Sequence, residues 1–516
     1  MTSSVRKRDL SKLREYIEAN LRTSQNAGMQ FIDPKNYKAK MLLPQNHVAF
    51  GRRGSGKSSL LSCLKNNDSH IYVYVNLEDY KNISFPNIIL HVLKSLFTQV
   101  LRESRRIYPW YCRPYRLWKL YWCLQKRIGV LTKTIKRPDK QDIHVKNRSL
   151  VEGESVGEIG SSLSKSKGRL KSVSEQETIA SHISDKLMDL QLDITDFKEI
   201  IGEITKAHDG RSIFLALDDL YFMPKIVQPH FVDFFHLLSK GSSLYLKIAT
   251  IKHRSYLYIQ EKSYVGTEKD HDIFEIDMDY TLDKFSELRT FMQSLLDHAA
   301  DQIDIDIDLN SLFSRDGFSQ LCLASGGVPR DFLSLFIKIV QSKIGQVSSD
   351  REKFETIGKI DVTAIATNNI TSKLEAIGKD TEGEEEILEE YLREIKEFVY
   401  TQKRTNAFLV AKHDLENSKQ GRQAIKELAD MRLIHIIDNN TSCAPSDGRR
   451  YEAYIIDVGL YDNSRPRNFN QLELGSRDDK SRQDALRASP RLNLPAIEEK
   501  ITKKGTKHLL DCVEAA

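Results

Sequence analysis

Short, mostly apolar runs, the one before Asp218 unbroken, alternate along this chain with stretches in which apolar residues recur every three or four positions. The runs are Val48-Ala49-Phe50, then 71–75, 213–217, 244–251 and 273–278. A strand covered on both faces carries such a run, so these five predict a doubly wound parallel sheet. Phe197, Ile200, Ile201 and Ile204 keep helical spacing before the third run. Alternating strands and helices imply an α/β core whose ligand sits at the carboxyl ends of the strands.

Beyond the sheet the period is helical. Phe285, Leu288, Met292 and Leu295 share one helix face, and residues 331–340 predict a second, strongly apolar helix, together a helical lid. Farther on, Ile387, Leu388, Tyr391, Leu392, Ile395, Phe398 and Val399 predict a helix. A short helical segment is expected near 407–412, and Ser418 is placed to cap a helix carrying Ala424, Ile425, Leu428 and Met431. Strands at 433–437 and 451–456, joined by a turn-rich segment, complete the order of a winged helix.

Between the first run and a helix start lies Gly51-Arg52-Arg53-Gly54-Ser55-Gly56-Lys57-Ser58. This is the phosphate-binding spacing of two glycines, a lysine and a hydroxyl. Glycines allow backbone conformations that a Cβ forbids, so successive N–H groups can point at phosphate oxygens. Lys57 supplies a point charge for the β and γ phosphates, Ser58 a hydroxyl for Mg²⁺, and Ser59 lies within reach of the same ligand. ATP and Mg²⁺ are the expected ligands. An ordinary glycine turn is the plainer reading, and the strand, loop and helix context argues against it.

Such a loop needs an acid at the end of a neighbouring strand. The run at 213–217 ends in Asp218-Asp219, with Asp218 expected to hold magnesium and Asp219 to orient the attacking water. A turn or helix cap is the alternative use of that pair. Thr250 ends the next strand, where it can sense the γ-phosphate or serve simply as a good strand former.

The 51–58 loop, the Asp218-Asp219 ending, Thr250 with His253-Arg254, and Ser325-Gly326-Gly327-Val328-Pro329-Arg330 together resemble AAA+/STAND ATPases of the origin-recognition and Cdc-type branch. The resemblance implies a Gly-x-Pro-Arg sensor at Gly327 to Arg330, with Arg330 touching the γ-phosphate and tying nucleotide state to lid angle. Pro329 independently suits a first helical turn. Asp219 stands where the family commonly has Glu, and no Asn occupies the Thr250 position. A long insertion separates the second strand from the third. A slow ATPase switch is as compatible with these departures as a motor.

Composition narrows the partners. The 516 residues exceed one ordinary core, and 40% hydrophobic with 29% charged residues is typical of globular protein. The six cysteines form no CxxC pair, so neither a zinc site nor a disulfide framework is indicated. No apolar run reaches the length of a membrane span, and the N-terminus lacks a signal-peptide core; a membrane partner is not expected and the cytoplasm is the default location. A net charge of +5 does not by itself imply nucleic acid.

The charge is concentrated instead. Residues 101–140 hold twelve Lys or Arg, only Glu103 and Asp139 as acids, and all three tryptophans of the chain. Tyr111, Tyr115, Trp118 and Trp122 recur at helical spacing among Arg105, Arg106, Arg113, Arg116, Lys119, Lys126 and Arg127. Rings packed on the core with solvated charges are one reading; a phosphate backbone or an acidic protein surface is the other. On the winged helix, Lys419, Arg422 and Lys426, with Arg449 and Arg450 on the wing, could grip duplex DNA, or the module could dock a protein. A homo-oligomer or a partner protein is expected.

The expected boundaries are a helical N-terminal segment at 1–45, a nucleotide-binding domain at 46–280 and a lid at 281–347. Within the second of these, 138–178 is expected to be a mobile loop. A linker at 348–383, the winged helix at 384–461 and a disordered tail at 462–516 complete the chain.

Overall fold

The computed structural model describes residues 6–21, 31–65, 67–107, 115–136, 190–260, 264–305, 308–314, 316–346, 354–380, 385–461, 466–472, 474 and 479–503. The expected mobile loop at 138–178 lies outside these residues, as do Tyr111 and Arg113. Two compact units are present. One comprises Lys35–Gly51 and Leu60–Asp277; the other comprises Met1–Pro34, Arg52–Ser59 and Met278–Ala516.

The first unit is α/β. Its strands are β1 (His47–Phe50), β2 (His70–Asn76), β3 (Ser212–Asp218), β4 (Leu244–Thr250), β5 (Tyr258–Gln260), β6 (Tyr264–Gly266) and β7 (Phe274–Asp277). Five of them form a parallel sheet in the order β2-β3-β4-β1-β7, and β5 pairs with β6 apart from it. All four residues of β1 and six of seven in β3 are buried; successive side chains point to opposite faces, so these strands are covered on both sides. β3 is not beside β1 as the expectation of a neighbouring acid strand had it. β4 lies between them, pairing Ala49 with Ala249 on one side and Leu215 with Leu246 on the other.

Helices Asn87–Ile107, Tyr115–Ile135 and Ile194–Ala207 follow β2. The Tyr115–Ile135 helix buries Leu117, Leu120, Leu124 and Leu131 in the core, while Tyr115, Trp118 and Trp122 are exposed. The reading in which aromatic rings face the core is therefore corrected: leucines three, four and seven apart already supply that face.

The second unit holds the helices Phe285–Asp301 and Pro329–Gln346 expected of a lid, with Pro329 opening the latter. Helix Lys7–Asn20 lies against both and buries Leu10, Leu13 and Ile17. A further helix, Lys359–Asp380, occupies most of the expected linker and buries Val362 and Ala366, one turn apart.

From Glu385 the order is helix Glu385–Lys396, β8 (Ala407–Ala411), helices Lys412–Asn417 and Lys419–Asp430, then β9 (Ile434–Thr441) and β10 (Tyr451–Ile456). Ser418 Oγ accepts from Gly421 N–H at 2.8 Å, the cap its sequence position promised. Residues 407–411, expected to be helical, are a strand with all five positions buried, antiparallel to β10. Five consecutive apolar residues fit a doubly covered strand and a buried helical turn equally well, so periodicity could not decide.

The segment after Tyr461 also departs from expectation. It carries a helix Asp479–Arg487, a strand β11 (Arg491–Leu492) and helical residues 494–503. β11 pairs with the free edge of β8 and gives a sheet ordered β11-β8-β10-β9. Leu486, Leu492, Leu494 and Ile497 are buried, too sparse among charges to register as a pattern yet sufficient to cover an edge.

Candidate functional site

Sheet geometry sets out the first group of predicted residues. β1 leads into Gly51, whose N–H donates to the Thr250 carbonyl at 3.1 Å, so the chain leaves the sheet beside the end of β4. Asp218 ends β3 in register with Asn76 and is 1% exposed. Its Oδ2 accepts from the Tyr74 hydroxyl at 2.9 Å and its Oδ1 from the Asp219 N–H at 3.0 Å. Burial, and then the Asp218 carboxylate, push the Tyr74 hydroxyl far above its usual value, so it stays a donor. Asp219 follows with φ of 58°, in the left-handed region that Asp tolerates better than most side chains, and leads into a short turn at Leu220–Phe222. Thr250 is fully buried, and its Oγ1 shares a hydrogen bond with Ser255 Oγ.

The second group lies in the other unit. Gly54 and Gly56 have φ of +88° and +97°, which a Cβ would strain. A Cβ on Gly54 would also stand 2.9 Å from Arg330 Cβ and 3.0 Å from Val328 Cγ1. The turn closes on itself, with Ser55 N–H and Lys57 Nζ both donating to the Arg52 carbonyl at 3.1 Å. Ser55 Oγ is buried and has no hydrogen-bond partner, an orphan of the kind that a bound oxygen satisfies. Helix Lys57–Ser62 begins at the lysine and so places Ser58 and Ser59 in its first turn.

Arg330 meets this turn through its backbone, its N–H donating to the Gly54 carbonyl at 3.3 Å. The two arginines of the turn are tied to later residues of the same unit. Arg52 N–H donates to Asp279 Oδ1 at 2.8 Å, and its guanidinium donates to the carbonyls of Tyr280 at 3.1 Å and Gly326 at 2.9 Å. The Arg53 carbonyl accepts from Arg432 Nη1 at 3.5 Å, and the same nitrogen pairs with Asp331 at 2.8 Å. Arg52 thus shares its guanidinium between the carbonyls of Tyr280 and Gly326 and the Asp279 carboxylate, 3.6 Å from its Nε.

Beneath the Gly326 turn lies a buried ion pair with a histidine beside it. Asp457 Oδ2 accepts from Lys373 Nζ at 2.8 Å and lies 2.9 Å from His435 Nε2. Burial alone would raise Asp457, but Lys373 and His435 outweigh it and hold the carboxyl at about 2. Burial lowers His435, which is therefore neutral with its Nε2–H on Asp457 and its Nδ1 unpartnered. The His435 ring fills the space that a side chain at Gly326 would need. Sequence reasoning missed Tyr74, Asp279, Lys373, Arg432, His435 and Asp457. Each sits in an unremarkable local context, and only the tertiary fold gives it a partner.

The basic residues expected to meet DNA are dispersed in role. Arg422 Nε and Nη2 donate to the carbonyls of Leu415 and Glu416 at 2.7 and 2.9 Å, closing the end of the preceding helix. Lys419, Arg449 and Arg450 are exposed and Lys426 is half-buried. At the first turn of the Lys419–Asp430 helix, Ser418 Oγ donates to Glu498 Oε1, and Leu494 and Glu498 occupy the space beside Gly421.

No group of three or more His, Cys, Asp or Glu that could cage a metal exists among the described residues. Mg²⁺ takes as few as one or two protein oxygens and completes its shell with phosphate oxygens and water, so a group of three is not needed to hold it.

No family model matches the chain, and no curated protein matches it. Among solved structures, a Walker-type ATPase of Pyrococcus abyssi is similar at 11% identity, covering 83% of this chain and 94% of that one with a TM-score of 0.34. The ORC1 protein of Aeropyrum pernix in complex with DNA is similar at 10% identity, covering 88% and 89% with a TM-score of 0.30. Similarity of that size carries neither an activity nor a partner across.

Proposed function

We propose that the chain binds ATP with Mg²⁺ through residues 51–58 and hydrolyses it slowly, as a P-loop switch of the AAA+/STAND type. The observation that carries this reading is the loop itself. It leaves a doubly covered parallel strand at Gly51, bends through two left-handed glycines, buries an unpartnered Ser55 hydroxyl and enters a helix at Lys57. Lys57 would neutralise the β and γ phosphates, Ser58 is the loop's candidate ligand of the metal, and Asp218 is the candidate acid by its own place at the end of β3. Bound magnesium supplies charge neutralisation at the phosphates. Tyr74 holds the Asp218 carboxylate in one orientation, and Asp219, the next residue, is the candidate to orient water. Thr250 already bonds Ser255, which supports a structural role for its hydroxyl over a sensing one.

The test is Mg-dependent ATP binding and phosphate release by the full chain. Lys57→Ala is expected to lose binding, whereas Asp219→Asn keeps binding and loses turnover. Absence of ATP binding by the wild-type chain would sink the proposal, and equal loss of both properties in Asp219→Asn would reverse the assignment of the two aspartates.

We infer further that residues 385–461 form a winged helix used for docking protein more than duplex DNA. Arg422 is bound to backbone oxygens, and a carboxylate and a leucine stand at the first turn of the helix that would enter a groove. ATPase rate with and without duplex, with filter binding across salt, separates the two. Stimulation by duplex and a steep salt slope would restore the DNA reading.

A further inference from the structure

The Tyr115–Ile135 helix holds five Lys or Arg and no Asp or Glu in its 21 residues. Its leucine face is spent on the core. At about 100° per residue, Tyr115, Trp118, Trp122, Lys119, Lys126 and Lys133 fall on one arc opposite those leucines, in a row about 27 Å long at 1.5 Å per residue. The rings on that arc reach solvent, Tyr115 82% exposed, Trp122 71% and Trp118 40%, with Trp118 and Trp122 each edge-on to Tyr121. Arg127 stands off the row and pairs with Asp193 at 3.0 Å, so the row's charge does not depend on it. Rings of this size left largely at solvent and grouped with cations mark a surface that something covers.

We propose that this row is a docking surface for an anionic lipid bilayer, with the helix lying flat on the headgroups. Tyrosine and tryptophan settle at the membrane–water boundary because one end of the ring system is apolar and the other polar, and lysines beside them meet anionic headgroups at the same depth. Rings and ammonium groups share one arc here, so the partner must offer apolar and anionic character together across an extended surface. A duplex hides its base faces, leaving the rings without a ligand. Single strands are held in charged grooves with rings as a floor, whereas this row stands on the convex side of one helix. No described helix is long and apolar enough to cross a membrane. The sequence expectation of no membrane partner rests on the lack of a span, which a helix lying on the surface does not require. The proposal is independent of the nucleotide reading.

All three tryptophans of the chain lie within residues 101–140, so intrinsic emission of the full protein reports on this segment without a label. Vesicles containing phosphatidylserine should sediment the protein and shift its emission to the blue, and added salt should reverse both. Vesicles of phosphatidylcholine alone should do neither. Each cation at such a surface is worth about 1 kcal/mol, or about five-fold in partitioning, so Lys119→Gln, Lys126→Gln and Lys133→Gln together should weaken sedimentation by about 100-fold. Trp118→Ser with Trp122→Ser should abolish it. Both variants leave Leu117, Leu120, Leu124 and Leu131 in place, and an unchanged melting temperature confirms that they fold. The proposal is overturned if phosphatidylserine vesicles produce no shift, or if both vesicle types bind equally. It is also overturned if a single-stranded oligonucleotide or an acidic polypeptide shifts the emission under conditions where vesicles do not.

Discussion

Replacing Asp457 with Asn tests the packing beneath the Gly326 turn. The substitution keeps the shape of the side chain and removes one negative charge from a site where Asp457 is 1% exposed and Lys373 9% exposed at the side chain. Lys373 would then keep a buried ammonium with one amide oxygen and the more distant Arg432 carbonyl, 3.5 Å away, to satisfy it. Breaking a buried pair by removing one partner typically costs 3–5 kcal/mol, and we expect about 3 kcal/mol here because the remaining amide still accepts a hydrogen bond. For a unit of this size that is a fall in melting temperature of roughly 6–12 °C. The pH dependence carries a sign. Asp457 is lowered from 3.8 to about 2 in the folded chain, so its stabilisation is fully present above about pH 4 and is lost as pH falls toward 2. A protonated Asp resembles Asn, and the gap between wild type and variant should close across that window. Thermal melting of both proteins at pH 7 and through the acid range measures it, with the double variant Lys373→Met, Asp457→Asn recovering most of the loss. A gap under about 1 kcal/mol at pH 7, or one that persists undiminished at the acid end, would refute the buried ion pair as the source of the stability.

Two further substitutions probe the loop itself. Gly54→Ala must place a Cβ in a left-handed conformation and within 2.9 Å of Arg330 Cβ; we expect about 2–4 kcal/mol of lost stability by urea unfolding and a matching loss of ATP affinity, and a neutral result would mean that the turn is not held as described. Arg432→Ala removes the pair with Asp331 and the bond to the Arg53 carbonyl; about 1–2 kcal/mol should be lost, with Arg432→Lys recovering only part because one ammonium lacks the planar fork, and full recovery by lysine would argue that charge alone matters.

What could be read from the sequence depends on how local each signal is. The strand at 213–217 announced itself because it is apolar at every position, a pattern that burial on both faces produces, whereas Lys247 in β4 and Glu275 and Asp277 in β7 interrupt the same signal. The turn between strand and helix at 51–58 was legible because its glycine spacing is carried by consecutive residues. Ala407–Ala411 was misread because five apolar residues do not span enough turns to show a period; its identity as a strand comes from β10 and β11 on either side. The aromatic row misled for the opposite reason. Trp118 and Trp122 are apolar by type and helical by spacing, but Leu117, Leu120 and Leu124 on the same helix compete for the core and win it.

The residues that hold the candidate site together show the limit most clearly. Arg52 and Arg53 lie inside a motif and invite a reading as phosphate ligands, yet the structure ties Arg52 to carbonyls at Tyr280 and Gly326 and the Arg53 backbone to Arg432. These partners are separated from the motif by more than two hundred residues, and no spacing rule connects them. Their physical logic is nevertheless plain. A loop built on left-handed glycines has little intrinsic rigidity, and a polyphosphate site must be rigid to gain from its own amides. Bonds from distant elements of the same unit supply that rigidity, and they make the conformation of the loop depend on where the Gly326 turn and Arg432 stand. A ligand that reshapes the loop must therefore act on those elements as well, which is what a switch requires and what a loop fixed by its own sequence could not provide.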